Sequence, residues 1–319
     1  MIIFVTLTHV ACSPIIDKHA RVVTMCAFFF FSGYLYRNPS KSLTTFYKKA
    51  ALNILLPFFL WSLVSSIFDF AFGGNLYDIV VRLFVLKGDI CWNSPLWFLI
   101  VLFFAEIVFV TVDHFNQSLT GKIVLLVVSL AIGFLIAGHK LPFLLDIVPY
   151  GLTCYCIGNI VKKISEQYTV AIPKLPKILL IIGLGIMTFL FGVYLNGQVS
   201  YVDRAFGNYL FCVLAAVSGT FFYILLFQRV PWLGNSKFFT YLGRSTMIIF
   251  AGQYFVFRIG NVISNRLFNI SIWFWKNDLK GILLCAFTIA ILCGVCELIR
   301  WMSRKNKAVS YVAGLFGIR

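Results

Sequence analysis

The sequence predicts an all-α integral membrane protein, a bundle of about ten transmembrane helices whose first helix is short at its N-terminus. Of the 319 residues, 61% are hydrophobic and 12% are charged. Soluble domains carry about 25% charged residues and about 45–50% apolar ones, so a soluble fold of this length cannot bury so much apolar surface. The apolar residues also recur in runs close to the roughly 20 residues that one membrane-spanning helix needs.

The predicted helices follow these apolar runs, and polar loops that contain Pro or Gly separate them. The runs cover residues 1–12, 20–37, 50–72, 95–112, 121–137, 144–161, 177–195, 206–228, 238–258 and 280–302. The connections between them are short, so we expect residues 1–319 to form a single polytopic membrane domain. No internal repeat is visible, which argues against the inverted-repeat transporter folds.

Basic residues outnumber acidic ones, and the formal net charge is +16. In a soluble protein this excess would suggest a nucleic-acid partner. Here the second loop, every even-numbered loop after it and the C-terminal tail together hold more Lys and Arg than the remaining loops. Cytoplasmic loops of membrane proteins carry such an excess. The sequence therefore predicts both termini in the cytoplasm, membrane lipids as partners and no nucleic acid.

The opening stretch, MIIFVTLTHVACS, is an apolar run that contains an imidazole, His9. A secretory leader needs a basic start, and no Lys or Arg precedes Lys18. A lipoprotein leader ending at Cys12 would need an aliphatic residue where His9 stands. Residues 1–12 span only about 18 Å as a helix, against a hydrocarbon core of about 30 Å. We therefore expect a first transmembrane helix that lacks its upstream turns.

Ionisable side chains within membrane helices are costly, and they usually face a cavity or a partner. The sequence places these residues in predicted helices: His9, Asp69, Glu106, Arg244, Arg258, Glu297 and Arg300. Those near helix ends can reach the interface, and Glu297 has the spacing for a local pair with Arg300. His9 has two interpretations, a satisfied structural histidine or a general base, because imidazole is the group most readily used as a base near neutral pH.

Cysteine spacing does not indicate a metal site. The pairs Cys154-x-Cys156 and Cys293-x-x-Cys296 lie in apolar runs without His or carboxylate partners at ligand spacing. We therefore expect these cysteines to act as small apolar packing residues, and we expect no metal cofactor.

Five stretches carry a resemblance to a known family. They are His9 followed by FFFFSGYLY at 28–36, FYKK at 46–49 leading to LLPFFLW at 55–61, PLWFLIVLFFAE at 95–106, CYCIGNIVKK at 154–163 and FTYLGRSTMIIF at 239–250. In this order they resemble the membrane acyltransferase-3 superfamily. The nearest resemblance is to bacterial sugar and polysaccharide O-acetyltransferases, including fucose 4-O-acetylase-like proteins.

The resemblance implies an integral enzyme of the bacterial cytoplasmic (inner) membrane. Such an enzyme takes an acyl group, usually acetyl, from cytoplasmic acetyl-CoA and passes it to a hydroxyl of a surface or lipid-linked glycan. The family's first-helix histidine maps onto His9, which would deprotonate the acceptor hydroxyl or carry the acyl group transiently. Glu106 would orient this histidine or pair with Arg244.

Further residues are assigned to donor binding and to the cavity. The donor's phosphates need cations, and one predicted cytoplasmic loop and its flank hold Arg37, Lys41, Lys48 and Lys49. Their alternative role is orientation of the chain in the membrane. The predicted cavity residues are Ser32, Trp97, Arg244 and Gln253. Packing is the alternative for Ser32, and anchoring at the membrane interface is the alternative for Trp97.

Several positions depart from the family pattern. The charged residue expected about ten positions before His9 would fall before Met1. Asn53 stands where the family has a basic residue, and Thr246 replaces the family's Ser. Gln253 replaces a late histidine, and an amide cannot act as a base near neutral pH. Two alternative functions therefore accompany the acyltransferase prediction: a transporter or lipid-linked glycan flippase, and an inactive truncated relative.

Overall fold

The computed structural model describes residues 1–10, 12–37, 42–85, 92–167, 174–271 and 277–318, except for the side chains of 83–85 and 174. Helices dominate this part of the chain. Extended pairing there is limited to one isolated antiparallel bridge between Ser200 and Ala205. The predicted all-α class is confirmed.

We number the main helices in chain order. They are α1 Ile2–Leu7, α2 Pro14–Leu35, α3 Leu43–Ala71, α4 Leu76–Val85, α5 Trp97–Phe115, α6 Leu119–Ile136, α7 Val148–Gln167, α8 Lys174–Phe189, α9 Tyr209–Arg229, α10 Lys237–Arg244, α11 Thr246–Phe268, α12 Asp278–Lys305 and α13 Lys307–Leu315. Single 3-10 turns, Ser94–Leu96 and Pro142–Leu144, precede α5 and α7, and a π-helical segment, Leu190–Tyr194, extends α8.

Within the described ranges, eight helices are long and apolar enough to cross a membrane. They are α3, α5, α6, α7 with its leading turn, α8 with its π-helical extension, α9, α11 and α12. With 22 residues, α2 is also long enough to cross a membrane, but its first turns carry the charged residues Asp17, Lys18 and Arg21. Its middle is nevertheless buried by protein, as Val22 and Phe29 show. With α2 and the short α1, the bundle agrees with the predicted count of about ten helices.

The structure corrects two predicted helices and adds two surface helices that the sequence did not predict. Among the described residues of the predicted helix 1–12, six are helical, Ile2–Leu7, and His9 lies in the turn after them. The predicted helix 238–258 breaks at Ser245, which separates α10 from α11. The surface helices α4 and α13 lie in segments expected to be loops and tail. Both are too short to give a membrane signal. Each buries one apolar side chain, Ile79 or Ala313, and exposes another, Tyr77 or Tyr311.

Successive spanning helices run in opposite directions, so the loops between them lie alternately at the two ends of the bundle. We call one end the His9 face; it holds the connections α1–α2, α8–α9 and α11–α12. The other end, the basic face, holds the connections α2–α3, α5–α6, α9–α10 and α12–α13. Contacts between distant loops agree with this division. The Ser13 backbone N–H donates to Asp278 Oδ1 at 2.5 Å on the His9 face, and Lys163 Nζ donates to the Gln117 carbonyl on the basic face.

The most intimate helix contact joins α2 to α7 through two glycines. A Cβ on Gly33 would stand 2.0 Å from the Tyr155 carbonyl oxygen, and a Cβ on Gly158 would stand 2.0 Å from that of Phe30. Both neighbours are main-chain atoms, which cannot rotate away. Small residues of this kind let helix backbones approach closely inside a membrane.

A buried polar network lies beside this crossing, near the basic face. The Lys122 ammonium pairs with Asp113 Oδ1 at 2.5 Å and donates to Asn159 Oδ1 at 2.8 Å. The Asn159 amide donates to the Gly33 carbonyl at 3.1 Å, and Tyr36 donates to Asp113 Oδ2 at 3.2 Å. Side chains from α5, α6 and α7 are thus linked to the end of α2.

The glycine crossing predicts a selective loss of stability. We expect Gly158→Ala to destabilise the purified protein by about 3 kcal/mol, because overpacking against backbone cannot be relieved by a rotamer change. Thermal unfolding in detergent measures this. Gly294→Ala is the matched control: that glycine lies within α12 with nothing near its Cβ position, so alanine should stabilise by about 0.5–1 kcal/mol. Equal stability of the two variants would contradict the close approach.

The buried ion pair makes a second prediction. Asp113→Leu should cost about 3–5 kcal/mol of stability, because it leaves the Lys122 ammonium buried without its carboxylate. The double variant Asp113→Leu/Lys122→Met should recover most of this loss, since no uncompensated charge remains. Unfolding of the wild type, both single variants and the double variant forms a complete cycle. Additive losses would show that the two charges do not interact.

Candidate active site

The candidate site is built on the turn that follows α1. The His9 backbone N–H donates to the Thr6 carbonyl at 3.2 Å, which closes the turn. The Thr8 carbonyl then accepts from Arg21 Nη2 at 2.8 Å instead of continuing a helix. Arg21 is itself held by Asp17, whose two carboxylate oxygens each lie 2.8 Å from its Nε. An ion pair at the start of α2 therefore fixes the position of the His9 backbone.

The side chain of His9 meets α11. Its Nδ1 lies 3.1 Å from the Tyr254 hydroxyl, and the two rings pack edge to face with centroids 5.0 Å apart. His9 is half-buried. Among the described residues, Tyr254 is the one hydrogen-bond partner of this imidazole, so Nε2 has none there. When Nδ1 carries the proton and donates to the tyrosine oxygen, Nε2 presents its lone pair and can act as a base.

Two side-chain amides lie near Tyr254. Gln253 precedes it in the chain, and Asn93 contacts the same helix three residues earlier, at Ala251. Gln253 is fully buried, and its Nε2 donates to the Phe250 carbonyl at 3.2 Å. Asn93 is also fully buried and donates to the Ala251 carbonyl at 2.6 Å. Within the described part of the chain, neither amide oxygen has a hydrogen-bond partner. Buried polar atoms are nearly always paired, so these two acceptors suit a hydroxyl group or water.

Trp97 lies at the same end of the bundle, as the first residue of α5. It is buried, and its ring packs 5.8 Å from that of Tyr201. Tyr201 in turn shares a 2.8 Å hydrogen bond with the Tyr150 hydroxyl. These contacts place Trp97 in the aromatic core near the His9 face rather than on the surface of the bundle.

Other predicted site residues lie apart from His9. Ser32 is near the far end of α2, where its hydroxyl donates to the Phe28 carbonyl at 3.0 Å. Glu106 is half-buried in the middle of α5. In the described ranges, no hydrogen bond or ion pair joins Glu106 to His9 or to Arg244.

The predicted donor-binding cations belong to the basic face. Arg37, Lys48 and Lys49 are exposed there, and Lys41 lies outside the described residues. From Arg21, which holds the His9 turn, to the end of α2 is about 21 Å at 1.5 Å per residue. The structure therefore separates Arg37, which follows the end of α2, from the predicted base by most of the membrane thickness.

Arg244 also lies on the basic face, at the end of α10. It lines an open cleft of about 860 Å³. The residues lining this cleft are Asn235, Lys237, Thr240, Tyr241, Arg244, Glu297, Arg300 and Arg304. The predicted pair of Glu297 with Arg300 is confirmed, with 2.8 Å between Oε1 and Nη1.

Sequence reasoning missed a second half-buried imidazole, His19. Its Nε2 lies 2.8 Å from the Tyr223 hydroxyl, and its ring stacks on Phe189 with centroids 4.9 Å apart. Its Nδ1 is buried without a partner among the described residues. The prediction begins the second helix at residue 20, which leaves His19 in the preceding connection, whereas α2 begins at Pro14. The described residues contain no group of three or more His, Cys, Asp or Glu side chains placed to hold a metal ion.

Comparison with known proteins agrees with this architecture. A family model described as an acyltransferase domain, that of the acyltransferase-3 family, matches residues 2–307. No curated protein and no solved structure matches the chain. The match begins before His9 and extends past α12, so it includes the whole of the bundle described above. The resemblance seen in the sequence is confirmed, and the chain belongs to the acyltransferase-3 family of membrane acyltransferases.

Proposed function

We propose that the protein is an O-acyltransferase that moves an acyl group from cytoplasmic acyl-CoA to a hydroxyl of a surface or lipid-linked glycan. The proposed acyl group is acetyl. The observation that carries this proposal is the His9 turn. Arg21 fixes its backbone, and Tyr254 contacts Nδ1 at 3.1 Å. Among the described residues Nε2 has no partner. A base in this arrangement suits a reaction whose nucleophile is a weakly acidic hydroxyl.

The chemistry requires a proton to leave the hydroxyl as its oxygen attacks the thioester carbonyl. Nε2 of His9 accepts that proton, while Nδ1–H donates to the Tyr254 oxygen. The tetrahedral adduct then collapses, the carbon–sulfur bond breaks, and the imidazolium returns the proton to the departing thiolate. The half-buried position of His9 limits competing attack by water.

The unpartnered amide oxygens of Gln253 and Asn93 support a polar acceptor. Each has a lone pair in a buried setting, and each can accept a hydrogen bond from a sugar hydroxyl. Gln253 cannot replace the histidine that other family members have at this position, because an amide is not a base near neutral pH. In this proposal it orients the acceptor, and His9 alone moves the proton.

The proposal places the donor at the basic face. Lys and Arg favour the cytoplasmic side of bacterial inner-membrane proteins, and acyl-CoA is a cytoplasmic metabolite whose phosphates need cations. Arg37, Lys48 and Lys49 are exposed on that face and would attract it. Both chain termini would then be cytoplasmic. The long pantetheine arm of the donor would carry the thioester inward toward His9.

The base assignment predicts a loss of turnover. We expect His9→Gln to reduce acetyl transfer by about 10²–10⁴-fold, the usual contribution of a general base, with no loss of fold. The assay follows coenzyme A release by the purified protein in nanodiscs with acetyl-CoA and a glycan acceptor. His139→Gln is the matched control, because His139 is exposed on the α6–α7 connection. Full transfer by His9→Gln would remove His9 from the chemistry.

The Tyr254 contact predicts a smaller, specific effect. Tyr254→Phe removes the oxygen that accepts from Nδ1–H and leaves the tautomer of His9 unselected. We expect kcat to fall about fivefold to tenfold, corresponding to one hydrogen bond of about 1 kcal/mol, with KM for the acceptor unchanged. If Tyr254 had only a structural role, Tyr254→Phe would lower stability without lowering kcat at an unchanged KM. Tyr194→Phe, at an exposed tyrosine, should behave as wild type.

A further inference from the structure

The cleft on the basic face is formed by one side of α10 and one side of α12. On α10, the lining residues Lys237, Thr240, Tyr241 and Arg244 are spaced by three, four and seven positions. Residues with this spacing share one face of a helix. On α12, Glu297, Arg300 and Arg304 follow the same rule. Two polar helix faces thus meet across an open cleft of about 860 Å³.

Positive charge dominates this cleft. Its lining contains four cations, Lys237, Arg244, Arg300 and Arg304, and one carboxylate, Glu297. That carboxylate is 2.8 Å from Arg300 and neutralises about one of the four charges. The side chains of Lys237, Arg244 and Arg304 are exposed. A group of cations on a shared cleft favours a ligand that carries several phosphates.

Arg300 is held in place before any ligand binds. Besides Glu297, it contacts the Tyr241 ring, with its guanidinium carbon 5.3 Å from the ring centroid. Its Nη2 also donates to the Arg244 carbonyl at 3.4 Å. Contacts from both helices thus fix one guanidinium at the centre of the charge cluster, which reduces the entropy lost on binding.

The position of the cleft relative to His9 distinguishes it from Arg37, the cation that follows the end of α2. After the break at Ser245, α11 leads from Thr246 to Tyr254, which contacts His9. Tyr254 lies eight positions after Thr246, a rise of about 12 Å at 1.5 Å per residue. The corresponding path along α2, from its end to Arg21, is about 21 Å. A ligand anchored in the cleft therefore starts nearer to the base.

We propose that this cleft binds the phosphate-bearing nucleotide half of the acyl donor, coenzyme A, and that the donor's arm runs from there along α11 toward His9. The inference rests on the proposed acyl transfer and assigns the donor site within it. The cations at Arg37, Lys48 and Lys49 then attract the donor to the face without forming its phosphate site. An anionic lipid headgroup offers the same phosphate chemistry, and the experiment separates the two sources.

The test measures coenzyme A binding directly, without acceptor or turnover, by the full chain in nanodiscs of neutral phosphatidylcholine. We expect Lys237→Gln/Arg304→Gln to weaken binding at least about tenfold, because two charge-assisted phosphate contacts are lost. Both side chains are exposed, so the fold should be retained. The control Arg229→Gln/Lys307→Gln removes one Arg and one Lys from the same face outside the cleft, and its affinity should remain within about twofold.

Equal weakening in both double variants would overturn the proposal, because it would mean that only the overall charge of the face matters. Unchanged binding in both would overturn it as well. A second arm repeats the measurement in nanodiscs that contain phosphatidylglycerol. If wild type loses coenzyme A binding there while the cleft variant binds less phosphatidylglycerol than the control, the cleft is a lipid site and the donor assignment fails.

Two results separate this proposal from the proposed function. Wild type that binds coenzyme A through the cleft but transfers no acetyl group would retain the site and reject the reaction. Wild type that transfers acetyl, with an unchanged KM for acetyl-CoA in Lys237→Gln/Arg304→Gln, would retain the reaction and reject the site.

Discussion

The close approach of α2 and α7 is the constraint on which the rest of the structure depends. Gly33 and Gly158 leave no room for a Cβ because main-chain carbonyls stand 2.0 Å from that position. This contact holds α2 inside the bundle although its first turns are more polar than those of an ordinary membrane helix. With α2 in place, Arg21 at one end holds the His9 turn, and Tyr36 at the other end reaches the Asp113–Lys122 pair.

Charge is used differently at the two ends of the molecule. On the His9 face, Asp17 and Arg21 neutralise each other and position a backbone carbonyl, so their role is geometric. On the basic face, four cations of the α10–α12 cleft exceed its one carboxylate, which leaves charge available for a ligand. The proposed donor carries several phosphates and the proposed sugar acceptor is neutral, so the proposed substrates differ in charge in the same way as the two ends of the molecule.

The sequence predicted the long, strongly apolar helices well and the special turns poorly. The run at 121–137 appears as Leu119–Ile136 because a continuous apolar stretch in a membrane has little choice but to satisfy its backbone as a helix. His9 was expected inside a helix and lies in a turn, because a side chain from α2 takes the Thr8 carbonyl. The break at Ser245 likewise separates two helices that share one apolar run.

The sequence by itself determined the membrane class and the family, and it pointed to His9 as the candidate base, since hydropathy, ordered motifs and residue type are local properties. Tertiary structure alone decided what surrounds that histidine. Tyr254 is 245 positions away along the chain, and the facing residues of α10 and α12 are more than fifty positions apart. Helix periodicity places residues on a face, but only the packing of helices against one another brings two faces together. Partners of this kind carry no signature in the chain, because any of several helices could have supplied them.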